Sequence, residues 1–504
     1  MQEDRSITEV ELRLACRHGN LNVVKAWIAQ NESLPPPQLR AVLSEVCQGA
    51  LIHNQAQCRP SLYSPRLEGA SGPHSRILSL LLEQEFANPD KVDEDGETLL
   101  HTLCREGGSL EIVRILAQYS DINALNHRNE TPLLLAVSNG GSRSLIKVLL
   151  GAGADPNIST KRGETPWSAC MDRTDFASLA EFFLQHKADP NATAERGWTP
   201  LHFAVRYWDV ELAEILLEEY GAIPNLATTD LRETALHKAC WMDSEPMVRL
   251  LLRHNANGNA VDVAGRTPLH CAFNILPIVR LLVEHGVDVN IADREGETPL
   301  FYCIRHNEPA SGKFLVGHRH TNLVVCNHDG VSPLRLAVEQ QHVWAVEALF
   351  QANVSVESAT ATGHLPILDL ACSRGNPDIV RLLLTNDADT KTGFPLHVAC
   401  QHVYSPLSRP PFPHEPEADK VVELLLKHDG QLVNALDEHG RSALHLACSR
   451  GLLSIVKRLA SQGADLNIYG GEGCTPFELA CQNGHVDILL YFFRRHNWIS
   501  HLRS

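Results

Sequence analysis

One short motif recurs along the 504-residue chain at an almost constant interval. It reads Thr-Pro-Leu-His or a close variant, and successive copies between Thr98 and Ser332 lie 33, 34, 34, 35, 33, 31 and 34 residues apart. The copies begin at Thr98, Thr131, Thr165, Thr199, Thr234, Thr267, Thr298, Ser332, Pro395, Ser442 and Thr475. A period held this closely indicates a chain built from one repeated unit rather than from a few compact domains.

Each repeated unit carries the signals of two short helices. Thr or Ser before Pro favours a helix start, since the hydroxyl caps free backbone N–H groups and proline fits the first turn. A second apolar run with a Leu-Leu centre, such as Val248–Leu252, follows after a Gly or polar break. One such helix pair cannot bury its apolar face alone, so neighbouring pairs must stack to form a continuous core.

Short Gly-Ala-Asp-x-Asn segments, as at Gly153 to Asn157 and Gly463 to Asn467, complete the unit. The whole pattern resembles the ankyrin repeat over nearly the entire chain, with twelve clear copies and two divergent copies before them. The resemblance implies an all-α repeat solenoid of stacked helix-turn-helix repeats joined by short hairpin loops. It also implies that partner proteins contact the hairpin tips and the ends of the first helices along the concave face, and that the motif histidine hydrogen-bonds to a neighbouring hairpin.

Departures from the period divide the chain into three predicted regions. Residues 1–95 are expected to form divergent capping repeats, with a loop insertion at about 57–74. Residues 96–393 are expected to be regular repeats. Residues 394–504 are expected to be C-terminal repeats that carry a Pro-rich insertion at 405–417.

Composition and charge exclude several classes of function. A net charge of −16 has the wrong sign for a protein that grips phosphate backbones, so we expect no nucleic-acid partner. We find no run of about eighteen apolar residues, which argues against membrane insertion. The segment from Met1 to Val10 does not read as a secretory signal. The cytosol is therefore the expected compartment and the nucleus the alternative.

Residue types that could carry chemistry are explained by the repeat. Seven of the fourteen cysteines occupy one small, buried repeat position, which favours packing over disulfides or metal binding. His318 and His320 form a tight pair, but a lone His-x-His is weak evidence for a metal. Gly312-Lys313 is followed by Phe and does not form a phosphate-binding loop. We therefore predict no catalytic residue, no metal, no cofactor and no enzymatic activity.

Two adjacent repeats place large side chains where most repeats have small polar ones. The candidate partner-binding residues are Trp198, Arg206, Tyr207, Trp208, Trp241 and Met242. Trp, Tyr and Arg dominate binding hot spots, because large rigid groups desolvate with little loss of entropy. The alternative is local packing, in which Trp208 fills the turn between two helices and Trp241 packs on its neighbour.

The Pro-rich insertion at 405–417 allows two interpretations. Prolines remove backbone donors and favour extended chain, so the segment is predicted to be a solvated loop. The alternative is a ligand for a proline-recognition module. In that case Pro410, Phe412, Pro413 and Pro416 would be its contact residues, with a three-residue period between the prolines.

These observations favour an adaptor or scaffold that acts as a monomer and holds a partner protein of unknown identity. The alternative is the substrate-recognition subunit of a ubiquitin ligase, similar to ankyrin proteins with a C-terminal SOCS box. Only residues 496–504 follow the last recognisable repeat, which we expect to be too short for such a box.

Overall fold

The computed structural model describes residues 7–30, 36–57, 72–84, 88–359, 365–401, 415–471 and 473–495. Within these ranges the chain forms 28 α-helices, which make fourteen successive pairs and confirm the predicted number of repeats. The described residues contain no β-strand; isolated β-bridges join Ala227 to Thr234 and Leu436 to Ser442 across hairpins. The fold is an all-α repeat solenoid.

The helices of the first seven pairs are α1 Glu9–His18, α2 Leu21–Gln30, α3 Pro36–Gln57, α4 Pro73–Leu82, α5 Leu99–Glu106, α6 Leu110–Tyr119, α7 Pro132–Ser138, α8 Arg143–Gly151, α9 Pro166–Met171, α10 Phe176–Gln185, α11 Pro200–Arg206, α12 Val210–Glu218, α13 Ala235–Trp241 and α14 Glu245–Arg253. Those of the other seven are α15 Pro268–Cys271, α16 Leu276–Glu284, α17 Pro299–Arg305, α18 Pro309–Gly317, α19 Pro333–Glu339, α20 Val343–Gln351, α21 Ile367–Arg374, α22 Pro377–Thr385, α23 Pro395–Gln401, α24 Glu415–His428, α25 Ala443–Arg450, α26 Leu453–Ser461, α27 Pro476–Gln482 and α28 Val486–Arg495. Short 3-10 helices lie at Glu195–Gly197, Val356–Ala359 and Gly430–Asn434.

The threonine or serine of the motif is the N-cap of the first helix in most of the regular pairs, as the sequence predicts. Thr131 is extended, its Oγ1 accepts the Leu134 N–H at 3.1 Å, and Pro132 occupies the first turn of α7. The hydroxyl thereby satisfies a backbone donor that has no partner inside the helix.

The chain divides into two compact units, which we describe separately. Unit 1 comprises Met1–Ala239 and Pro246–Asn257, and unit 2 comprises Cys240–Glu245 and Gly258–Ser504. Inside each unit a first helix packs on the first helix of the next pair, as α5 does on α7, and second helices do the same, as α6 does on α8. Each helix is amphipathic and buries its apolar side between its neighbours.

The motif histidines link successive repeats, as the family resemblance implies. His202 Nδ1 lies 2.8 Å from Thr199 Oγ1, and its Nε2 donates to the Glu233 carbonyl of the next hairpin at 3.1 Å. Burial lowers the pKa of His202 to about 4, so the imidazole is neutral near pH 7. Neutrality is required here because one ring nitrogen accepts while the other donates. His101, His270, His397 and His445 make the same link to Glu130, Glu297, Arg441 and Cys474 carbonyls.

Three repeats of unit 2 have a charged residue at the histidine position, and two of these residues, Arg335 and Asp369, hydrogen-bond to the backbone of a following segment. The Arg335 guanidinium donates to the Leu365 carbonyl at 2.8 Å, which reproduces the histidine link. Asp369 works in the opposite sense, since its Oδ2 accepts the Phe394 N–H at 2.9 Å. Burial raises the pKa of Asp369 to about 6, and its Oδ1 has no hydrogen-bond partner among the described residues.

The edges of both predicted insertions differ from the structure. Helix α4 begins at Pro73, so Pro73 and His74 are helical rather than part of the 57–74 loop. Pro416 lies in the first turn of α24 rather than in an extended segment, because proline fits a first turn without losing a hydrogen bond. Pro410, Phe412 and Pro413 lie outside the described residues, as does most of the first insertion.

Candidate partner-binding surface

Four of the predicted contact residues surround α11 in unit 1. Trp198 precedes the helix, Arg206 ends it, and Tyr207 and Trp208 form the turn that leads to α12. Arg206 is exposed, and the exposed fractions of Tyr207 and Trp208 are 39% and 53%. We call Trp198, Arg206, Tyr207 and Trp208 the aromatic patch.

Trp198 replaces a glutamate that other repeats place before the motif threonine. In the first regular repeat that residue is Glu97, which is buried and forms an ion pair with Arg105. In the patch, the Arg206 guanidinium instead lies over the Trp198 ring at 5.5 Å, and Lys238 Nζ approaches the same ring at 5.5 Å. A cation–π pair of this kind holds the arginine without neutralising its charge, so Arg206 stays available to an acidic group.

The Trp198 ring is half-buried and also packs inside its own repeat. Its centroid lies 5.3 Å from that of Phe203 and 5.9 Å from that of His202. Trp198 thus contributes to local packing as well as to the patch. Tyr207 and Trp208 supply the exposed area of the patch.

The patch rests on a continuous set of rings that reaches the core of unit 1. Phe176 lies 6.4 Å from Tyr207 and 5.8 Å from Phe203 on the surface side, and 5.5 Å from Trp167 on the core side. Phe176 and Trp167 are fully buried. Packed rings of this kind restrict the motion of the exposed ones, which lowers the entropy cost of binding.

Trp208 holds a backbone conformation that disfavours a bulky side chain. Its φ is +59°, in the left-handed region. The same turn position is also left-handed in other repeats, which use Gly107, Gly140, Asp243, Asn307, Gln341, Gly375 and Gly451. Glycine, Asn and Asp tolerate this region, whereas a tryptophan there costs about 1–2 kcal/mol. The side chain is half-exposed, so its own burial offsets only part of that cost.

The left-handed backbone at Trp208 leads to a prediction about the free energy of unfolding. Trp208→Gly should give a free energy of unfolding about 1 kcal/mol higher than Trp208→Ala, because glycine alone relieves the left-handed strain. Urea titration of both variants measures the difference. Equal stabilities would show that the turn relaxes around the side chain and that Trp208 is not strained.

Trp241 and Met242 occupy the corresponding place at the end of α13. Trp241 is the last residue of that helix and is 72% exposed, whereas Met242 is half-buried. Both belong to unit 2, so we treat them as a contact site of their own.

Sequence reasoning missed an aromatic cluster at the equivalent turns of unit 2. The rings of Phe273 and His306 lie 4.8 Å apart, and Tyr302 packs 5.9 Å from Phe273. The Tyr302 hydroxyl donates to Asp293 Oδ2 at 2.8 Å, and burial together with this hydrogen bond raises its pKa. The inter-helix turn that contains Phe273 is about two residues shorter than in other repeats, so Phe273 does not fall at the sequence position by which the patch residues were found.

The described residues contain neither a metal-binding cluster nor a membrane-spanning helix. No group of three or more His, Cys, Asp or Glu side chains there is placed to hold a metal ion. The His318 and His320 rings are 5.6 Å apart, and they belong to no such group among the described residues. No described helix is both long and apolar enough to cross a membrane.

The chain belongs to the ankyrin repeat family. The model of three consecutive ankyrin repeats matches residues 69–160, 135–228, 222–293, 274–360 and 415–498, and the single-repeat model matches residues 362–391. These matches cover more than half of the chain. The ankyrin repeat mediates protein–protein interaction and is typically not catalytic.

The chain is similar to parts of longer proteins. The chain is 26% identical over 286 residues to the ankyrin repeat protein nuc-2 of Neurospora crassa. The aligned region spans 56% of this chain and 22% of that protein. It is 30% identical over 265 residues to the B-cell lymphoma 3 protein homolog of Mus musculus. That aligned region spans 52% of this chain and 42% of the mouse protein. The chain thus covers less than half of either relative. A crystal structure of the ankyrin repeat domain of Bcl-3 matches 42% of this chain and 95% of its own length at 32% identity, with a TM-score of 0.34.

Proposed function

We propose that this protein is an adaptor or scaffold that binds a partner protein through the inter-helix turns of unit 1, with the aromatic patch as the centre of the contact. The observation that carries the proposal is Trp208. A half-exposed tryptophan stands in left-handed backbone where other repeats use glycine, asparagine, aspartate or glutamine. Strained residues persist where function requires them, and tryptophan is among the residues enriched at binding hot spots.

The patch also has the composition of a binding centre. Tyr207 and Trp208 offer large apolar area on a rigid base, and Arg206 offers an exposed guanidinium held on a ring. Asp172 lies close enough to Glu195 and Arg206 for their charges to interact. Burial, and to a lesser extent the charge of Glu195, raises the pKa of Asp172. Aromatic area with a polar rim is the usual anatomy of a protein interface.

The proposal is tested with Tyr207→Ala and Trp208→Gly in the full chain. Each substitution should weaken binding of the principal partner by about 1–3 kcal/mol, since each removes an anchor of the interface. Partners are captured from cell lysate on wild-type and variant protein and quantified by mass spectrometry. The strongest wild-type partner is then purified and titrated by calorimetry.

Tyr119→Ala is the matched control. Tyr119 is a tyrosine of unit 1 with a similar exposed fraction, 44%, at the end of α6 outside the patch. It should leave binding unchanged. A partner set that is the same for wild type and for the Tyr207→Ala/Trp208→Gly double variant would remove the proposal.

The ubiquitin-ligase role and the intracellular location stay predictions. Elongin and cullin subunits among the captured proteins would favour the ligase role, and their absence from a capture that retains the principal partner would argue against it. Fluorescence microscopy of the tagged chain would decide between cytosol and nucleus.

A further inference from the structure

Four consecutive hairpin tips of unit 1 each present an exposed arginine. The tips are residues 126–129, 160–163, 194–197 and 228–232, and their arginines are Arg128, Arg162, Arg196 and Arg232. We call these four residues the arginine row. The row stands out because the chain carries a net charge of −16.

Tips on either side of these four repeats carry acidic residues. The preceding tip carries the exposed acids Glu94 and Asp95. The equivalent tip positions of unit 2 include Ala264, Glu295 and Asp329. One tip of unit 2 also exposes an arginine, Arg294, but it lies between Asp293 and Glu295, so the succession of four arginine-bearing tips is the local feature.

The guanidinium groups of the row are not used in ion pairs of the described structure. The ion pairs of the neighbouring repeats in unit 1 engage other cations, namely Arg105, Arg143, Arg173 and Lys238. Exposed arginines outside such pairs can donate to the carboxylates of a ligand.

The backbone beneath the row is ordered by hydrogen bonds. The Arg128 N–H donates to Asn126 Oδ1 at 2.9 Å, and the Arg162 N–H donates to Thr160 Oγ1 at 3.2 Å. Between tips, the Thr229 N–H donates to the Arg196 carbonyl at 2.8 Å. The backbone that carries these arginines is therefore already ordered. A ligand that contacts them has to order only their side chains, which lowers the entropy cost of binding.

The aromatic patch continues directly from the row. Trp198 follows the 194–197 tip in the chain, and its ring carries the Arg206 guanidinium. Lys238, beyond the next tip, approaches the same ring. Positive charge and aromatic area therefore share one side of the helices that follow these tips.

We propose that the partner contributes an extended, acidic segment that runs along the arginine row and anchors an apolar side chain in the aromatic patch. This inference rests on the proposed function and adds the chemistry of the partner. Neighbouring repeats stack at helix-packing distance, about 8–10 Å, and an extended chain advances about 3.3 Å per residue. The segment accordingly carries Asp or Glu at about every third residue over roughly ten residues.

A peptide with spaced carboxylates suits this surface better than a nucleic acid does. Glu164, Glu195 and Asp230 are exposed on or beside the same tips, so the positive charge is discrete and interrupted. A uniform polyanion would place phosphates against these carboxylates, whereas a peptide can leave neutral residues there.

The test uses the full chain and a phage-displayed library of random peptides about fifteen residues long, which exceeds the length of the row. Peptides enriched on the wild type are synthesised and their affinity is measured by fluorescence anisotropy at low and at high salt. We expect acidic residues at three-residue spacing beside one aromatic or aliphatic residue, with affinity that falls as salt rises.

Charge reversal assigns the effect to the row. The row variant is Arg128→Glu/Arg162→Glu/Arg196→Glu/Arg232→Glu, and it should bind the enriched peptide at least about ten-fold more weakly. The control variant is Lys25→Glu/Arg76→Glu/Arg114→Glu/Lys147→Glu, which changes net charge equally at exposed positions of second helices. The control should bind within about two-fold of the wild type, since local contacts and not net charge carry the effect.

Each outcome decides the inference. Enrichment of peptides without acidic residues, no enrichment at all, or equal binding by the row variant overturns it. Equal competition by single-stranded DNA overturns it in favour of a polyanion site. If the row variant binds normally while Tyr207→Ala does not, the acidic segment is wrong and the proposed function stands. If neither substitution matters, both fail.

Discussion

Trp167→Ala is expected to lower the free energy of unfolding by about 3–5 kcal/mol, the cost of a large cavity in a closed core. Trp167 is fully buried in unit 1, with its ring 5.2 Å from Phe183 and 5.5 Å from Phe176. Its Nε1–H donates to the Asp189 carbonyl at 2.8 Å. Urea unfolding followed by circular dichroism measures the loss.

The same substitution should weaken partner binding although it alters no surface residue. Phe176 packs on Trp167 from one side and near Tyr207 from the other, so a cavity at Trp167 loosens the base of the aromatic patch. Trp167→Phe fills most of the cavity and should cost about 1–2 kcal/mol, chiefly for the lost hydrogen bond. It should retain most of the binding.

Phe301→Ala is the control that distinguishes a specific effect on the aromatic patch from a general loss of stability. Phe301 is a fully buried aromatic residue in unit 2, and its removal should destabilise the chain by a similar amount. We expect binding to be unaffected. If Trp167→Ala and Phe301→Ala weaken binding equally, the rings beneath the patch have no special part in recognition.

Leu349→Ala is expected to cost about 2–5 kcal/mol and to act locally. Leu349 is fully buried in α20, which packs against α18 on one side and α22 on the other. In a stack whose pairs touch only their neighbours, a cavity should loosen the adjoining pairs first. Hydrogen-exchange mass spectrometry should show faster amide exchange in α18, α20 and α22 than in α26 of the same unit.

Glu347→Ala is the control for this experiment. Glu347 is exposed in the same helix, so its loss should change stability by less than about 0.5 kcal/mol. Equal acceleration of exchange from α18 to α26 in Leu349→Ala would contradict a nearest-neighbour stack and indicate that unit 2 unfolds as one cooperative core.

The motif predicts helix starts more reliably than it predicts burial. Thr before Pro predicted the helix starts correctly, because capping depends on residues within one turn. Burial of the repeated cysteine position holds for Cys104, Cys240 and Cys448 but is wrong for Cys481, which is exposed. Cys481 lies in the last helix pair that the structure describes, where no further described pair covers it.

The candidate surface was only partly predictable. Its residues were found because Trp and Tyr stand where neighbouring copies have small polar residues. The relation of Arg206 to Trp198 was not foreseeable, since a cation–π contact across α11 depends on side-chain positions and not on sequence spacing. The left-handed φ of Trp208 was equally hidden, because the aligned residues are of several types.

The sequence by itself determined the fold class, the number of repeats and the family, because these follow from a local signal repeated at a fixed interval. The tertiary structure decided which variable residues share a surface. It alone showed that Arg335 can replace a histidine link while Asp369 reverses it, and that the rings from Trp167 to Tyr207 form one support. The physical reason is that stacking brings together residues about one repeat apart in sequence, and their contacts depend on the packing of both neighbours.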